Sequence, residues 1–450
     1  MKTTVMKKQT WIVLLLTWFL AVGCQQRVEF KITFHKNNVL LPAIEFTTQD
    51  DAEVFIEYWP TENVQRIQRS KTSKGKEHRI VLLNLKPATT YQCRVLNKTT
   101  DSEIDGFALQ TGELPAAVTH TNKQKIDTTL FKGFILIRRL APRGVDVILD
   151  NEGDVVWYNL YDTIVRRPFV FTDKRSVLSI YDSSQIVEYD LYGNNLLNMK
   201  LEDHGIFNMI HHDAVFDRKG DIVSLTHDSV KMDLRKFGYP GEKFVRADGI
   251  VVVSTAGKKI WEWNLLSVYN PLDHPEKKIN LRQSLGHANS LTIDKDGHYI
   301  VSFRDFSQLW KINSVDGSVM WKLGKDGDFK MDENGYFLRQ HAVTINKLGQ
   351  LMVFDNGERG IRPNSRVLSF KLNEQTMEAA IETNVVLPLD LSADKMCSAE
   401  LIDDGMYLVC TSKRSGIISV VNDKAEVLWR VDLTSPSYRA YYLSDPFGQQ

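Results

Sequence analysis

Two short phrases alternate along most of this chain, and their alternation leaves few folds open. One is a turn followed by a tryptophan-bearing strand: GDVVWYNL (153–160), GKKIWEWNL (257–265), GSVMWKLG (317–324) and AEVLWRVDL (425–433). The other opens on a histidine and runs strand, turn, strand: HDAVFDRKGDIVSL (212–225), HANSLTIDKDGHYIVSF (287–303) and HAVTINKLGQLMVFD (341–355). A fourth copy, CSAELIDDGMYLVCTS (397–412), puts Cys397 in the histidine's slot. Apolar and polar residues alternate within both phrases, the period of a half-buried strand, and Asp, Asn, Lys and Gly supply the turns between them. Together the phrases mark about six units beginning near residues 130, 172, 212, 287, 341 and 397. Multi-stranded units of roughly 45 to 75 residues predict a β-propeller, here six-bladed and spanning 125–450. The tryptophans are expected to pack between blades.

The residues before the repeats read differently. Over 27–115 the chain carries short alternating runs (VEFKITF, AEVFIEYW, HRIVLLNL, YQCRVLN, GFALQTG) with no amphipathic helix between them, which predicts an all-β sandwich. LKPATTYQCRV resembles the tyrosine corner of fibronectin type III domains, with Tyr91 as a structural hydroxyl. GELPAAVTHTNKQKIDTT then reads as a linker. Residues 1–24 stand outside the fold: Lys2, Lys7 and Lys8 precede the apolar run WIVLLLTWFLAV, and the ending LAVGC resembles a bacterial lipobox, though Ala stands where Leu is commonest. Cys24 is thus expected to be lipidated. No other apolar stretch approaches the roughly 20 residues of a membrane span, so the mature protein is expected in the periplasm or at the cell surface, reaching the membrane through its lipid alone.

Charge and cysteines narrow the field. Lys and Arg number 56 and Asp and Glu 56, well mixed, so there is no basic surface for tracking nucleic acid. Cys397 and Cys410 flank one hairpin and can either face each other as a disulfide or stay buried thiols, and Cys93 lies in the sandwich.

Propeller geometry turns the histidine phrases into chemistry. The innermost strand of each blade lines a central channel, so His212, His287 and His341, at the starts of such strands in consecutive blades, should meet at one end of it. Asn289 follows His287 by two and projects to the same side of a strand. Arg304, in SFRD, offers a planar fork of donors to sulfate or phosphate. Asp355 and Asn356, in VFDNG, take the matching place one blade on. Asp213 is positioned to orient an imidazole, while His211 and His227 read as supporting residues. A hydrogen-bonded filler and a zinc or copper site are the competing readings of the histidines. A guanidinium would repel a metal, which favours an anion.

HHD (211–213), GHANS (286–290), SFRD (302–305), QHA (340–342) and FDNG (354–357) resemble, in order, the motifs of bacterial arylsulfate sulfotransferases. These are nucleotide-independent periplasmic enzymes with a six-bladed propeller behind a β-sandwich. The resemblance implies that His341 is the nucleophile, becoming a transient sulfohistidine. It also implies that His212, His287, Asn289 and Arg304 hold the sulfuryl oxygens and manage the phenolic proton. Transfer from an aryl sulfate donor to a phenolic acceptor would then be ping-pong, without cofactor or metal, in a family whose members often form homodimers. His212 is preferred to His211 because Asp213 follows it. Tyr158, Tyr161, Phe207, Phe306, Tyr438 and Tyr441 are candidates to wall the aryl group. The alternative from another class is a non-catalytic lipoprotein propeller acting as a scaffold or ligand-binding module, which has no reason to keep the His/Asn/Arg set together. A quinoprotein dehydrogenase usually needs eight blades, and a sulfatase needs a C/S-x-P-x-R context that the chain lacks.

Overall fold

The computed structural model describes residues 27–119, 121–140, 143–161, 169–274, 279–413 and 415–448. The expected signal segment and Cys24 lie outside them. Among the described residues, regular structure consists of β-strands and short 3-10 turns.

The N-terminal part is built around one long strand, Asn38–Pro60. Its first half pairs with Lys31–His35 and Ser73–Val81, and its second half with Thr90–Asn97, with a break in register between Thr47 and Ala52. That break lets one strand serve both layers of the sandwich. Ile44, Phe46, Ile56, Tyr58, Ile80, Cys93 and Val95 fill the space between. Tyr91 is buried there, and its hydroxyl accepts the Lys86 N–H at 2.8 Å, closing the corner expected from the sequence.

Six sheets, each with four antiparallel strands, follow in a ring, making a six-bladed propeller. From the inside outward, blade one is Ser437–Leu443, Phe134–Arg139, Val145–Asp150 and Val155–Leu160; blade two runs Phe169–Phe171, Ser176–Ile180, Gln185–Asp190, Asn195–Lys200. Blade three is Met209–Phe216, Ile222–Asp233, Glu242–Val253, Lys259–Asn264, and blade four Ala288–Ile293, Tyr299–Phe303, Gln308–Ile312, Val319–Gly324. Blade five has His341–Ile345, Leu351–Asp355, Arg366–Asn373 and Glu378–Val386; blade six has Ser398–Asp403, Met406–Ser412, Gly416–Asn422 and Val427–Leu433. The ring closes twice: the last strand of the chain is the innermost of blade one, and Thr121–Lys125 pairs with the outer edge of blade six. Part of the stretch expected to be a linker is therefore a strand. Its sequence, TNKQK, shows no apolar alternation because an outer edge faces solvent on both sides.

The tryptophans pack between blades, as the repeats suggest. Trp157 of blade one donates its indole N–H to Leu191 O of blade two, Trp263 of blade three to Gly317 O of blade four, and Trp429 of blade six to Asn151 O of blade one (2.8–3.0 Å). Each ring contributes a large buried apolar area, and its N–H ties down a turn of the next blade. Tyr158 belongs to the junction between the two parts: its carbonyl accepts from Asn38 Nδ2 at 2.6 Å and its hydroxyl from Val39 N at 2.8 Å.

Candidate active site

The inner strands break their pairing where the histidines sit. Register shifts fall between His211 and Ala214 in blade three, Ala288 and Ser290 in blade four, His341 and Thr344 in blade five, and Ser437 and Ala440 in blade one. At the same level His212 (φ 55°), His287 (φ 52°), Ala342 (φ 52°) and Cys397 (φ 78°) adopt left-handed backbone. Each such residue costs about 1–2 kcal/mol, and the surrounding ladder enforces it. The extra residues re-aim side chains that an unbroken strand would send between blades.

His212, His287 and His341 come together in this way. The His212 and His287 rings lie 5.5 Å apart, centroid to centroid. His341 is buried; its Nδ1 lies 3.1 Å from Cys397 O, and its Nε2 lies 3.2 Å from the Tyr438 hydroxyl. A carbonyl oxygen only accepts, so Nδ1 carries the proton and Nε2 keeps its lone pair. Burial, reinforced by the Arg439 cation, holds the His341 imidazole well below the usual histidine range. Burial and then His211, His287, His341 and Arg439 do the same to His212, and burial lowers His287. The three rings are thus neutral near pH 7. His287 Nδ1 is a buried nitrogen with no hydrogen-bond partner among the described residues.

Arg304 lies close enough to lower the pKa of both His287 and His341. Its guanidinium is braced by Asp305 Oδ1 at 3.1 Å and Asp394 O at 3.3 Å. Asn289 donates from Nδ2 to Gln340 O at 2.7 Å, gripping the peptide that leads into His341, and Gln340 Nε2 donates to Ser302 Oγ and Gln308 O.

Several expectations need correction. Asp213 does not orient an imidazole. The double bulge turns it away, and it accepts both Arg439 nitrogens (3.1 and 2.9 Å) and the Leu291 N–H. Asp355 accepts Arg366 and the Leu338 N–H, and Asn356 donates to Ala393 O and Met396 O, so both brace loops. Of the six aromatics, Tyr438 reaches the cluster. Tyr161 bonds Arg138 and Asp146, Tyr441 donates to Phe169 O, Phe306 stacks on Trp310, and Phe207 is 80% exposed. Arg439 and Asp248 were not anticipated. Arg439 reaches from blade one to Asp213 of blade three and Asn289 O of blade four. Asp248 accepts the Ala288 N–H at 2.8 Å and lies 3.4 Å from His211 Nε2. The His211 ring in turn packs against that of His227, tilted, with centroids 4.8 Å apart. Neutral imidazoles beside two guanidiniums suit an anion that bears a transferable group.

The arylsulfotransferase (ASST) family model matches residues 119–414, a span that includes all three histidines, Asn289 and Arg304. No curated protein matches the chain in sequence. Among solved structures, it is similar to a Bacteroides caccae protein of unknown function, with 11% identity over 70% of this chain and 99% of that one and a TM-score of 0.44. It is also similar to a catalytically inactive virginiamycin B lyase of Staphylococcus aureus (9% identity, 70% and 98% covered, TM-score 0.33). BamB of Moraxella catarrhalis gives 10% identity, 73% and 95% coverage and a TM-score of 0.33. Likenesses this distant carry no argument about chemistry.

Proposed function

Because the chain belongs to the arylsulfotransferase family, we propose that it moves the sulfuryl group from aryl sulfate to phenol in two displacements through a sulfohistidine on His341. Aryl sulfotransfer is the family's activity; the residues suggest the route. The observation that carries it is the His341 ring, neutral and buried, with Nδ1–H tied to Cys397 O and Nε2 left as a lone pair.

In the first step Nε2 attacks sulfur, the N–S bond forms, and the S–O bond to the aryl group breaks with its electron pair on the phenolate oxygen. Arg304 and the Tyr438 hydroxyl are placed to donate to the sulfuryl oxygens as charge moves between them. Asn289 keeps His341 aimed through the Gln340 peptide. His212 and His287 face the aryl oxygen, and His212 supplies the proton that the phenolate takes up. In the second step an acceptor phenol gives its proton to His212 and attacks sulfur, and the N–S bond returns its electrons to Nε2. Burial and the Arg439 cation oppose protonation of His212. A bound sulfate ester brings the opposite charge and eases it. The envelope location rests on residues 1–24, with Cys24 lipidated.

Incubation with 4-nitrophenyl sulfate, with and without phenol, tests the reading. Nitrophenol release should depend on phenol, and the His341 peptide should gain the mass of SO₃. His341→Ala should lose at least about a thousandfold in rate. Activity that survives His341→Ala, or free sulfate formed regardless of acceptor, refutes it.

A further inference from the structure

His212 has to give a proton in one half-reaction and take one in the other, yet its surroundings oppose holding one. Burial comes first, and His211, His287, His341 and Arg439 all add repulsion. A proton kept for the next step therefore needs another place. His212 Nδ1 lies 2.7 Å from His211 Nδ1, so a single proton sits between the two rings. The far nitrogen of His211, Nε2, lies 3.4 Å from Asp248 Oδ1. Asp248 is buried at the interface of blades three and four, and its other oxygen accepts the Ala288 N–H, one residue beyond His287.

We propose that Asp248, His211 and His212 form a proton relay in which Asp248 holds the proton between turnovers, gives it up at donor cleavage and takes it back from the acceptor phenol. The inference rests on the sulfohistidine reading above. Before donor cleavage the carboxyl O–H points to His211 Nε2, His211 Nδ1–H points to His212 Nδ1, and His212 Nε2–H points to the aryl oxygen. As the S–O bond breaks, the phenolate takes the Nε2 proton. His212 Nδ1 takes the proton of His211, and His211 Nε2 takes that of Asp248. The relay is left with a carboxylate and with a lone pair on His212 Nε2, the form that deprotonates the acceptor phenol. The second half-reaction runs the three transfers backward. One proton leaves and one returns, and no imidazolium is needed at any stage.

The groups around Asp248 favour this store. Burial pushes its carboxyl up to about 8, with Asp305 adding to the rise, against the Ala288 and His287 N–H groups and the Ser284 hydroxyl. It is therefore protonated at neutral pH while His212 and His341 stay neutral. His227, tilted against His211, packs from the second strand of the same blade.

Asp248→Asn keeps an oxygen for the Ala288 N–H but stores no proton. The reading is the donor half-reaction with two esters, phenyl sulfate and 4-nitrophenyl sulfate, whose leaving groups differ in their need for a proton. The variant should lose more with phenyl sulfate than with 4-nitrophenyl sulfate by at least about tenfold, within the 10²–10⁴ typical of proton transfer. His211→Gln should show the same selective loss, and the double variant should be no worse than either single. Sulfuryl label from 4-nitrophenyl sulfate should still appear on His341 in both. Equal losses with the two donors, or additive losses in the double variant, overturn the relay and leave Asp248 a structural acceptor. Label missing from His341 in the unmodified enzyme overturns the sulfohistidine reading instead.

Discussion

Arg439→Gln is the perturbation on which most of the site's physics converges. The guanidinium is buried and spans from blade one to Asp213, with contacts of 3.1 and 2.9 Å, and to Asn289 O at 3.4 Å. Glutamine can still donate one hydrogen bond, but it leaves the Asp213 carboxylate without its cation and with the Leu291 N–H as its described partner. Removing one partner of a buried pair costs about 3–5 kcal/mol, and the remaining amide donor puts this substitution near the lower end. Adding Asp213→Asn converts the ion pair into an amide pair, keeps an acceptor for Leu291, and should restore at least half the loss. Tryptophan fluorescence in a denaturant titration measures both. A second reading comes from pH. Arg439 lowers the pKa of both His212 and His341, so its removal raises them, and the abandoned Asp213 anion acts in the same direction. In the proposed transfer a protonated His341 could not attack, so the acid limb of kcat/KM should move up, toward the ordinary histidine value of about 6.5. A stability loss under about 1 kcal/mol, or an acid limb that stays in place, refutes the account of Arg439 as a charged strut.

Other consequences are simpler to check. Tyr438→Phe removes the hydroxyl 3.2 Å from His341 Nε2 and keeps the ring, so kcat/KM should fall roughly five- to tenfold, about the value of one hydrogen bond, without a change in unfolding midpoint. Glu400, which accepts the Tyr442 N–H, is pushed up to about 7 by burial. Its folded-state value lies above the unfolded one of about 4.3, so the native state binds the proton more tightly. Stability should fall as pH rises between those values. Glu400→Gln should flatten the difference in unfolding free energy between pH 5 and pH 8, and an unchanged difference would count against it. Cys93, Cys397 and Cys410 are buried free thiols, all with pKa raised by burial. In protein lacking residues 1–24, all three should react with a thiol reagent only after unfolding without reductant; one reactive thiol would indicate a Cys397–Cys410 disulfide.

The repeats made the ring legible because a strand's period and a turn's residues are local properties, and four copies of each phrase reinforce one another. They also located the three histidines, because each opens its phrase. What the sequence hid follows from the bulges. A period of two assigns Asp213 to the face that supports an imidazole, but two extra residues in blade three rotate it onto Arg439. Nothing in HHD differs between the two outcomes. Asp248 was hidden for another reason: it lies within a long strand and gains its meaning from a neighbouring blade.

Tyr438 and Arg439 belong to the last strand of the chain, which is also the innermost strand of blade one. The segment that closes the ring thus carries the hydroxyl at His341 Nε2 and the cation that reaches Asp213. The three histidines come from consecutive blades and can approach one another before closure. The Arg439–Asp213 strut cannot form until blade one is complete. The buried Asp213 carboxylate then opposes an open ring, for without Arg439 it is an unpaired charge in the interior. Closure and assembly of the site are therefore one event, which ties the electrostatics of His341 to the integrity of the fold.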